Sequence, residues 1–330
     1  MPSYSGVWTL QAQMQAVAAG TWTGQPQLFA WGSNAQGQLG LGNTANHSSP
    51  KQVGALTAWS SIAGGQYFTT AIKTDGTLWS WGYNNNGQLG QNNTTSLSSP
   101  VQIGALTTWY QVADGASFTM ALKTNGTLWS WGYNNQGQLG LGDAGAYTQR
   151  SSPVQIGALT TWYQVVTSNT HTIATKTDGT LWSWGRNNEG QLGLGDSVNR
   201  YSPVQVGALT TWYQISAGGS GFTVAIKTDG TLWSWGRNNS GQLGLNDTAN
   251  RSSPVQVGAL TTWSKVANGE SHIIAVKTDG TLWSWGQNDA GKLGLGDTVY
   301  RSSPVQVGLL TTWLTLSKMP TSGFSLAIKG

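Results

Sequence analysis

Short stretches in which apolar and polar residues alternate recur along most of the chain. Residues 118–123, Phe-Thr-Met-Ala-Leu-Lys, place Phe, Met and Leu on one side of an extended backbone, which is the pattern of a half-buried β-strand. A turn of the form Thr-Asp-Gly or Thr-Asn-Gly follows, as at residues 74–76, and then comes a second apolar stretch. Asp-Gly between two such stretches predicts a β-hairpin with a tight type I′ turn.

The stretch after this turn is the most faithfully repeated part of the chain. Gly-Thr-Leu-Trp-Ser-Trp-Gly occurs unchanged at residues 76–82, 126–132, 179–185, 230–236 and 280–286, and a divergent copy, Gln-Leu-Phe-Ala-Trp-Gly, occupies residues 27–32. The second Trp of each copy falls at positions 31, 81, 131, 184, 235 and 285, so the period is 50 to 53 residues. Repetition at this interval is the signature of propellers and solenoids.

Each repeat contains four short predicted strands. The Trp strand leads into a long polar loop, a Ser-Pro-Val-Gln stretch, a short apolar stretch such as residues 111–113, a Gly-rich loop and the alternating strand. Four strands make one blade of a β-propeller. The sequence therefore predicts an all-β, six-bladed propeller over residues 27–330, with a seven-bladed ring as the alternative. The strand at residues 27–31 is expected to pair with the one at residues 326–330, which closes the ring and removes its open edges.

Residues 1–26 stand outside the repeat. Leu10, Met14, Val17 and Ala18 have helical spacing in a segment of good helix formers. We expect a helix that either packs on the propeller or attaches the chain to a larger assembly. Residues 5–10, Ser-Gly-Val-Trp-Thr-Leu, resemble the short leader of some marine bacteriophage virion and tail-associated proteins, which implies the second role.

Composition narrows the classes of function. Charged residues make up 8% of the 330 residues, against about 25% in an average soluble domain. The net charge of +4, from 16 Lys and Arg against 12 Asp and Glu, is too dilute to predict a nucleic-acid partner. The chain has no Cys, which excludes disulfides and thiolate metal sites. No apolar run approaches the roughly 18 residues of a membrane helix, so no membrane insertion is expected.

Three motifs together resemble the repeats of the regulator of chromosome condensation family. They are the Trp strand, the Gly-Gln-Leu-Gly-Leu-Gly loop after it, and the pattern Val-Ala-x-Gly-x-x-His/Phe-Thr-x-Ala-x-Lys. The resemblance spans residues 27–330 and implies a β-propeller, commonly of seven blades. It also raises guanine-nucleotide exchange on a small GTPase, which in the family's namesake depends on a wedge inserted into the repeats. The longest excess here is three residues, within residues 142–153, so exchange is the least favoured function.

The sequence contains no pattern typical of a catalytic site. Glu189 and Glu270 are the only glutamates, and they stand in different kinds of loop. His171 and His272 occupy a position that holds Phe in the other repeats, so they are predicted to be packing residues, and His47 stands alone in a polar loop. Nucleophile, base and metal-ligand groupings are therefore not expected, and neither is a cofactor.

Four of the long loops contain both an arginine and an aspartate, and the remaining loops contain neither. The pairs are Arg150 with Asp143, Arg200 with Asp196, Arg251 with Asp247, and Arg301 with Asp297. Because the two residues are present or absent together, we expect an ion pair that holds each loop in shape. A ligand-binding role for these arginines is the alternative.

The position after each Trp-Gly varies among otherwise similar repeats. Strand order places it on one rim of the ring, together with the long polar loops and the Gly-rich loops, and such loops often carry binding residues. Tyr and Arg are favoured in binding surfaces. The candidate binding residues are Tyr67, Tyr83, Tyr133, Tyr147, Arg186, Tyr201, Arg237 and Tyr300. Neutral variation is the alternative, and the invariant Trp strand is predicted to be a packing layer between blades.

These observations favour a non-enzymatic binding or structural module. The leading hypothesis is a phage virion protein, tail-associated or adhesin-like, located in the virion or outside the cell. Its rim would meet a protein or glycan on a cell surface, and residues 1–26 would bind other virion proteins. The alternative is a bacterial protein–protein interaction propeller, located in the cytoplasm or secreted. A homo-oligomer is compatible with both hypotheses.

Overall fold

The structure is a computed structural model that describes residues 26–316, Ser325 and residues 327–329. Its strands, numbered β1 to β24, form five four-stranded antiparallel sheets and two two-stranded sheets at the ends. The helix predicted within residues 1–26 falls on residues 1–25, which are outside the described part of the chain. No helix among the described residues is long and apolar enough to cross a bilayer.

The five complete blades follow one another in chain order. The first is β3 (Trp59–Gly64), β4 (Phe68–Lys73), β5 (Leu78–Gly82) and β6 (Leu97–Gln102), and the second is β7 (Trp109–Asp114), β8 (Phe118–Lys123), β9 (Leu128–Gly132) and β10 (Arg150–Gln155). The third is β11 (Trp162–Thr167), β12 (His171–Lys176), β13 (Leu181–Gly185) and β14 (Arg200–Gln205). The fourth is β15 (Trp212–Gly218), β16 (Phe222–Lys227), β17 (Leu232–Gly236) and β18 (Arg251–Gln256). The fifth is β19 (Trp263–Asn268), β20 (His272–Lys277), β21 (Leu282–Gly286) and β22 (Arg301–Gln306).

The first strand of each blade lies nearest the axis of the ring. β3, β7, β11, β15 and β19 lie side by side, and residues from all five line one central channel. The loops that follow the first and third strands of a blade emerge at the same end, which we call the upper rim. The hairpins between the second and third strands lie at the opposite end, which we call the lower face.

The hairpin between the second and third strands differs in one detail from the prediction. In the turn of the first blade only Gly76 has a positive φ, of 78°, and the Lys73 N–H bonds to the Thr77 carbonyl oxygen at 3.0 Å. The loop is therefore three residues long, with Gly in the left-handed position, and is not a two-residue type I′ turn. The segment that packs against this turn also requires Gly at position 76, because a Cβ on Gly76 would collide with the Thr107 carbonyl oxygen.

The second Trp of each complete repeat is buried between two blades. These residues are at most 1% exposed: Trp81, Trp131, Trp184, Trp235 and Trp285. Trp131 of the second blade donates its Nε1–H to the Gln88 carbonyl oxygen in the long loop of the first blade, at 2.9 Å. A Cβ on Gly90 of that loop would lie 2.8 Å from Trp131 Nε1, so the loop needs Gly at this point. The prediction that the Trp strand is a packing layer between blades is confirmed.

The first Trp of each complete repeat contacts a lysine. In the second blade, Lys123 Nζ lies 3.7 Å from the centre of the Trp129 ring and 4.8 Å from that of Trp109. Burial lowers the pKa of Lys123, and the cation–π attraction opposes that cost. Trp129 Nε1 donates to Thr127 Oγ1 at 2.9 Å, and Thr127 donates to Asn125 Oδ1 at 2.8 Å. The contact therefore ties the hairpin at the lower face to the body of the blade.

The two end sheets have the registers of two halves of one blade. β1 (Gln27–Gly32) and β2 (His47–Thr57) pair like the third and fourth strands of a complete blade, and β23 (Trp313–Leu316) and β24 (Ala327–Lys329) pair like the first and second. The described pairings include none between β1 and β24. Trp31 is 59% exposed, whereas its counterparts in the complete blades are buried. Five complete blades and two half-blades are seen, and closure of the ring stays a prediction.

A pair of introduced cysteines tests the closure in a chain that has none of its own. In the first blade Ile72 lies opposite Leu78, next to the hydrogen-bonded Lys73–Thr77 pair, so the two Cα atoms are expected to be about 4.5 Å apart. The equivalent residues in a closed sixth blade are Ile328 and Leu28. Leu28→Cys with Ile328→Cys is therefore expected to form a disulfide on mild oxidation, detected by mass spectrometry of the linked peptides.

Phe29→Cys with Ile328→Cys is the matched control. Adjacent residues of a strand point to opposite faces of the sheet, so this pair should stay reduced. Equal yields from the two pairs, or no disulfide from the first pair, would show that β1 and β24 do not form the predicted blade.

Candidate functional site

The predicted binding residues are spread around the upper rim and do not form one cluster. Tyr67 and Tyr83 of the first blade contact each other edge to face, with ring centres 6.5 Å apart. Tyr147, in the long loop of the second blade, is 96% exposed. In the fifth blade the Tyr300 hydroxyl accepts a hydrogen bond from Gln287 Nε2 at 3.4 Å.

Two further predicted tyrosines have structural contacts. Tyr201 packs at the joint between the second and third blades, where its ring covers Gly137 so closely that a Cβ on this glycine would collide with it. Tyr133 is half-buried, and its N–H bonds to the Ser117 carbonyl oxygen at 2.9 Å. The contacts of Tyr201 in particular are those of a residue that holds two blades together.

Arg186 and Arg237 are brought together. They line one cleft of about 280 Å³ at the upper rim, where loops of the third, fourth and fifth blades meet. The Arg186 N–H bonds to the Thr170 carbonyl oxygen and the Arg237 N–H to that of Gly221, both at 3.0 Å. The glycines that precede the two arginines have φ values of 101° and 99°. The two side chains therefore start from turns whose backbone is fixed.

The cleft is also lined by residues outside the predicted set, among them Asn169, Glu189 and Glu270. We call the following five residues the arginine cleft: Arg186, Arg237, Asn169, Glu189 and Glu270. The Glu189 carboxylate accepts a hydrogen bond from Asn250 Nδ2 at 2.7 Å. Glu270 is exposed, and its carbonyl oxygen accepts the Ser220 N–H at 2.9 Å. Both glutamates stand at positions that vary from repeat to repeat. Variation between repeats is also the signal that identified the two arginines, so the two glutamates could have been predicted in the same way.

The arginine–aspartate ion pairs predicted for four long loops are present in all four. In the fourth blade Arg251 pairs with Asp247 and also donates from Nη1 to the Ala249 carbonyl oxygen at 2.7 Å. Asp247 Oδ1 accepts a hydrogen bond from Asn238 Nδ2 at 3.0 Å. The Ala249 N–H and then Arg251 lower the pKa of Asp247. These contacts hold the loop in shape, as the sequence predicts.

The two buried histidines occupy packing positions, as predicted. His171 and His272 are at most 1% exposed, like the phenylalanines at the same position of other blades. His171 Nε2 lies 3.0 Å from Thr223 Oγ1 of the next blade, and Nδ1 is bonded to Ser168 Oγ. Burial lowers the pKa of His171 to about 3 and that of His272 to about 4. In the part of the chain that the structure describes, no three His, Cys, Asp or Glu residues are grouped as metal ligands.

A buried carboxyl group faces the central channel. Asp114, at the end of β7, is 3% exposed, and both its oxygens lie 2.9 Å from Thr70 Oγ1, which donates to them from the first blade. Burial raises the pKa of Asp114 to about 7. On the other side of the channel is Asn268, 2% exposed. Neither residue could be singled out from the sequence, because strand order alone does not show which side chains face the axis.

A second exposed surface, absent from the predictions, lies on the lower face. Tyr110, Tyr163 and Tyr213 occupy the second position of the innermost strands of the second, third and fourth blades, and they are 60%, 55% and 58% exposed. A leucine four residues before each tyrosine is about half-exposed. We call this surface the tyrosine face, and it consists of Tyr110, Tyr163, Tyr213, Leu106, Leu159 and Leu209.

The sequence contained a signal for this face. The same strand position holds Ser60 in the first blade and Ser264 in the fifth. A position that changes from serine to tyrosine among similar repeats is not needed for packing. The variable positions predicted to bind were all in the upper-rim loops, so the prediction did not include the tyrosine face.

Comparison with known proteins places the chain among propellers. The RCC1-like domain matches residues 27–325. The ultraviolet-B receptor UVR8 of Arabidopsis thaliana is 35% identical over 244 residues, which is 72% of this chain and 55% of the receptor. The probable E3 ubiquitin-protein ligase HERC3 of Homo sapiens is 36% identical over 101 residues, 30% of this chain and 10% of the ligase. The chain thus matches about half or less of the length of these relatives.

A solved structure shows the same fold. Yeast RCC1 (Prp20) bound to Kap60 matches with a TM-score of 0.66 and 20% sequence identity, over 92% of this chain and 89% of the yeast chain. At this level of identity the likeness concerns the fold alone.

The ion pair in the fourth blade can be tested with residues that the chain itself uses elsewhere. Asn43 occupies the place of Asp247 in the first long loop, and Leu97 occupies that of Arg251 in the second. We expect Asp247→Asn and Arg251→Leu to lower the melting temperature by similar amounts, equivalent to up to about 1 kcal/mol, because each removes the same partly exposed ion pair. Thermal denaturation of both variants and of the double variant measures this, and fully additive losses would contradict a direct pair.

His171→Phe tests the pH dependence that follows from a buried neutral histidine. The unfolded residue takes up a proton below its ordinary pKa of about 6.5, whereas the folded residue does so only near its pKa of about 3. Stability is therefore lost as the pH falls below about 6.5. Between about pH 7.5 and pH 5 the variant should lose about 2 kcal/mol less unfolding free energy than the parent protein in urea titrations. Asp114 titrates in both proteins, so its contribution cancels, and equal losses would contradict the assignment.

Proposed function

This chain belongs to the RCC1-like domain family, and from that premise we propose that it is a protein-interaction propeller whose tyrosine face binds another protein. The observation that carries the proposal is the exposure of Tyr110, Tyr163 and Tyr213 on three consecutive blades. Rigid aromatic side chains give large contact areas at low entropic cost, and Tyr is enriched among residues that dominate binding energy.

The architecture also supports this use of the lower face. The three tyrosines project from the innermost strands, and each is flanked by a half-exposed leucine. A grouped exposed apolar surface on a soluble protein is typical of an interaction site. Ser60 and Ser264 at the same strand position indicate that the blade folds without tyrosine there.

A protein that contains this fold has been seen in a complex with another protein. The yeast relative was solved bound to another protein, Kap60. This precedent supports a protein as the class of partner for the present chain, and its identity is left to experiment.

Site-specific photo-cross-linking in the producing cells tests which surface meets the partner. A benzophenone amino acid is placed at Tyr163 on the tyrosine face, and in a separate variant at Tyr147 on the upper rim. We expect a discrete protein adduct from position 163 and a weaker one or none from position 147. A discrete adduct from position 147 alone would assign binding to the rim and contradict the proposal.

The cross-linked partner then allows affinity to be measured. Tyr110→Ser, Tyr163→Ser and Tyr213→Ser are matched to the serines that the chain carries in other blades. We expect each substitution at the centre of the interface to raise the dissociation constant by about tenfold or more. The melting temperature should be unchanged, because the tyrosines are exposed. An unchanged dissociation constant in all three variants would refute a role for this face.

The narrower hypothesis of a phage virion protein, located in the virion or outside the cell, stays a prediction. Its attachment segment lies outside the described residues, and the variable rim is its proposed contact with a surface protein or glycan. If deletion of residues 1–26 left incorporation into particles intact, the attachment role would be wrong. The comparisons support the interaction propeller as the broader description.

A further inference from the structure

Among the described residues, no carboxylate forms an ion pair with either guanidinium group of the arginine cleft. In the described part of the chain, the arginines of the long loops each form an ion pair with aspartate, whereas Arg186 and Arg237 form none. Arg237 Nε donates to Asn239 Oδ1 at 3.0 Å. Arg186 and Arg237 are both only partly exposed. A partly desolvated guanidinium group is stabilised by an anion. Two such guanidinium groups that line the same cleft favour a carboxylate as the ligand group.

The same cleft also presents groups that favour a cation or an N–H donor. Glu189 and Glu270 line it and form no ion pair within the described residues. A carboxylate that has no ion-pair partner within the protein can accept a charge-assisted hydrogen bond from the ammonium group of a ligand.

We propose that the arginine cleft binds a zwitterionic group, with its carboxylate on Arg186 and Arg237 and its ammonium group on Glu270 and Glu189. The combination of both charges is specific. A phosphate would face two glutamates that repel it, and a simple cation would face two arginines. A group that carries both charges offers an opposite charge to each of the four charged side chains.

The size of the cleft agrees with such a ligand. Its volume of about 280 Å³ is near the lower end of the range for small-molecule sites, roughly 300–1,000 Å³. That volume suits a free amino acid, or neighbouring acidic and basic side chains on the surface of a partner protein. These are two sources of the same chemistry.

The backbone around the cleft is fixed, which favours binding without a large ordering cost. The backbone N–H groups of Arg186 and Arg237 each donate to a carbonyl oxygen in the Gly-rich loop of the same blade. The backbone N–H of Ser220 donates to the Glu270 carbonyl oxygen of the next blade. These hydrogen bonds within and between blades fix the backbone from which the charged side chains start, so that binding has only the side chains to order. The site lies at the end of the ring opposite the tyrosine face, so it does not depend on the proposed function.

Calorimetric titration of the full chain with small probes tests the proposal. The amino acids are glycine, L-glutamate and L-lysine, and the partner-protein source is represented by an end-capped Gly-Glu-Lys-Gly peptide. N-Acetylglycine and glycinamide each lack one of the two charges of glycine. We expect saturable binding of an amino acid or of the peptide. If glycine binds, each of its two derivatives should bind at least about tenfold more weakly than glycine, because each loses a charged hydrogen bond.

The variants follow residues that the chain already tolerates. Gln287 occupies the place of Arg186 and Arg237 in the fifth blade, so Arg186→Gln with Arg237→Gln should fold normally. We expect the double arginine variant to raise the dissociation constant of the probe by about tenfold or more. Glu270→Gln by itself should have an effect of the same size. Arg200→Gln, which removes an arginine paired with Asp196 outside the cleft, is the matched control and should leave binding unchanged.

The outcomes separate the possibilities. Binding of the peptide alone would assign the site to a partner protein, and binding of an amino acid would assign it to a free ligand. Equal binding of glycine and N-acetylglycine, or no effect of Glu270→Gln, would show an anion site and overturn the proposal. No saturable binding by any probe would also overturn it. Tyr163→Ser should leave probe binding unchanged, so this result is independent of the tyrosine face.

Discussion

The contact on which the rest of the structure depends joins the second Trp of each complete blade to the long loop before that blade. Trp184 donates its Nε1–H to the Gln138 carbonyl oxygen at 3.0 Å, and the same oxygen accepts the Thr172 hydroxyl at 3.0 Å. A buried Trp removes roughly 200 Å² from water, worth about 5 kcal/mol. With charged residues at only 8% of the chain, repeated aromatic burial between blades is the main source of cohesion.

This contact constrains the long loop and thereby decides where the repeats can differ. Asn134 Oδ1 accepts the Leu139 N–H at 3.0 Å, and Gly140 lies so close to Trp184 that a Cβ would be 2.7 Å from its Nε1 atom. Residues that shape the loop for the Trp of the next blade are therefore kept in nearly every repeat. Arg186 and Tyr163 stand outside these contacts, so variation is concentrated at such positions.

The ring separates two chemically different surfaces. The arginine cleft at the upper rim is lined by charged side chains of both signs, and the tyrosine face at the opposite end is aromatic and aliphatic. Between them runs a channel that holds the buried carboxyl of Asp114. Because the blades are joined by buried aromatic contacts, occupation of one end does not require the other end to move. The fold thus suits a module that holds two different ligands at a fixed separation.

The sequence by itself determined the blade, the hairpins and the four ion pairs. The 50- to 53-residue period, the alternation of residues 118–123 and the joint occurrence of Arg251 with Asp247 are local or repeated signals, and they need no knowledge of how the blades are arranged. The predicted type of turn at Gly76 was wrong, because Lys73 pairs with Thr77 and the loop is three residues long, and an Asp-Gly pair alone does not specify which residues close the hairpin.

Tertiary structure alone decided which variable residues meet. Arg186, Arg237 and Glu270 come from three successive blades, and the angle between blades brings their loops into one cleft. Alternation along β11 shows which residues share a side of the strand, but the position of that strand beside the axis decides that Tyr163 is exposed at the lower face. Local patterns specify each blade, whereas a surface assembled from several blades depends on distances between residues that are far apart in the chain.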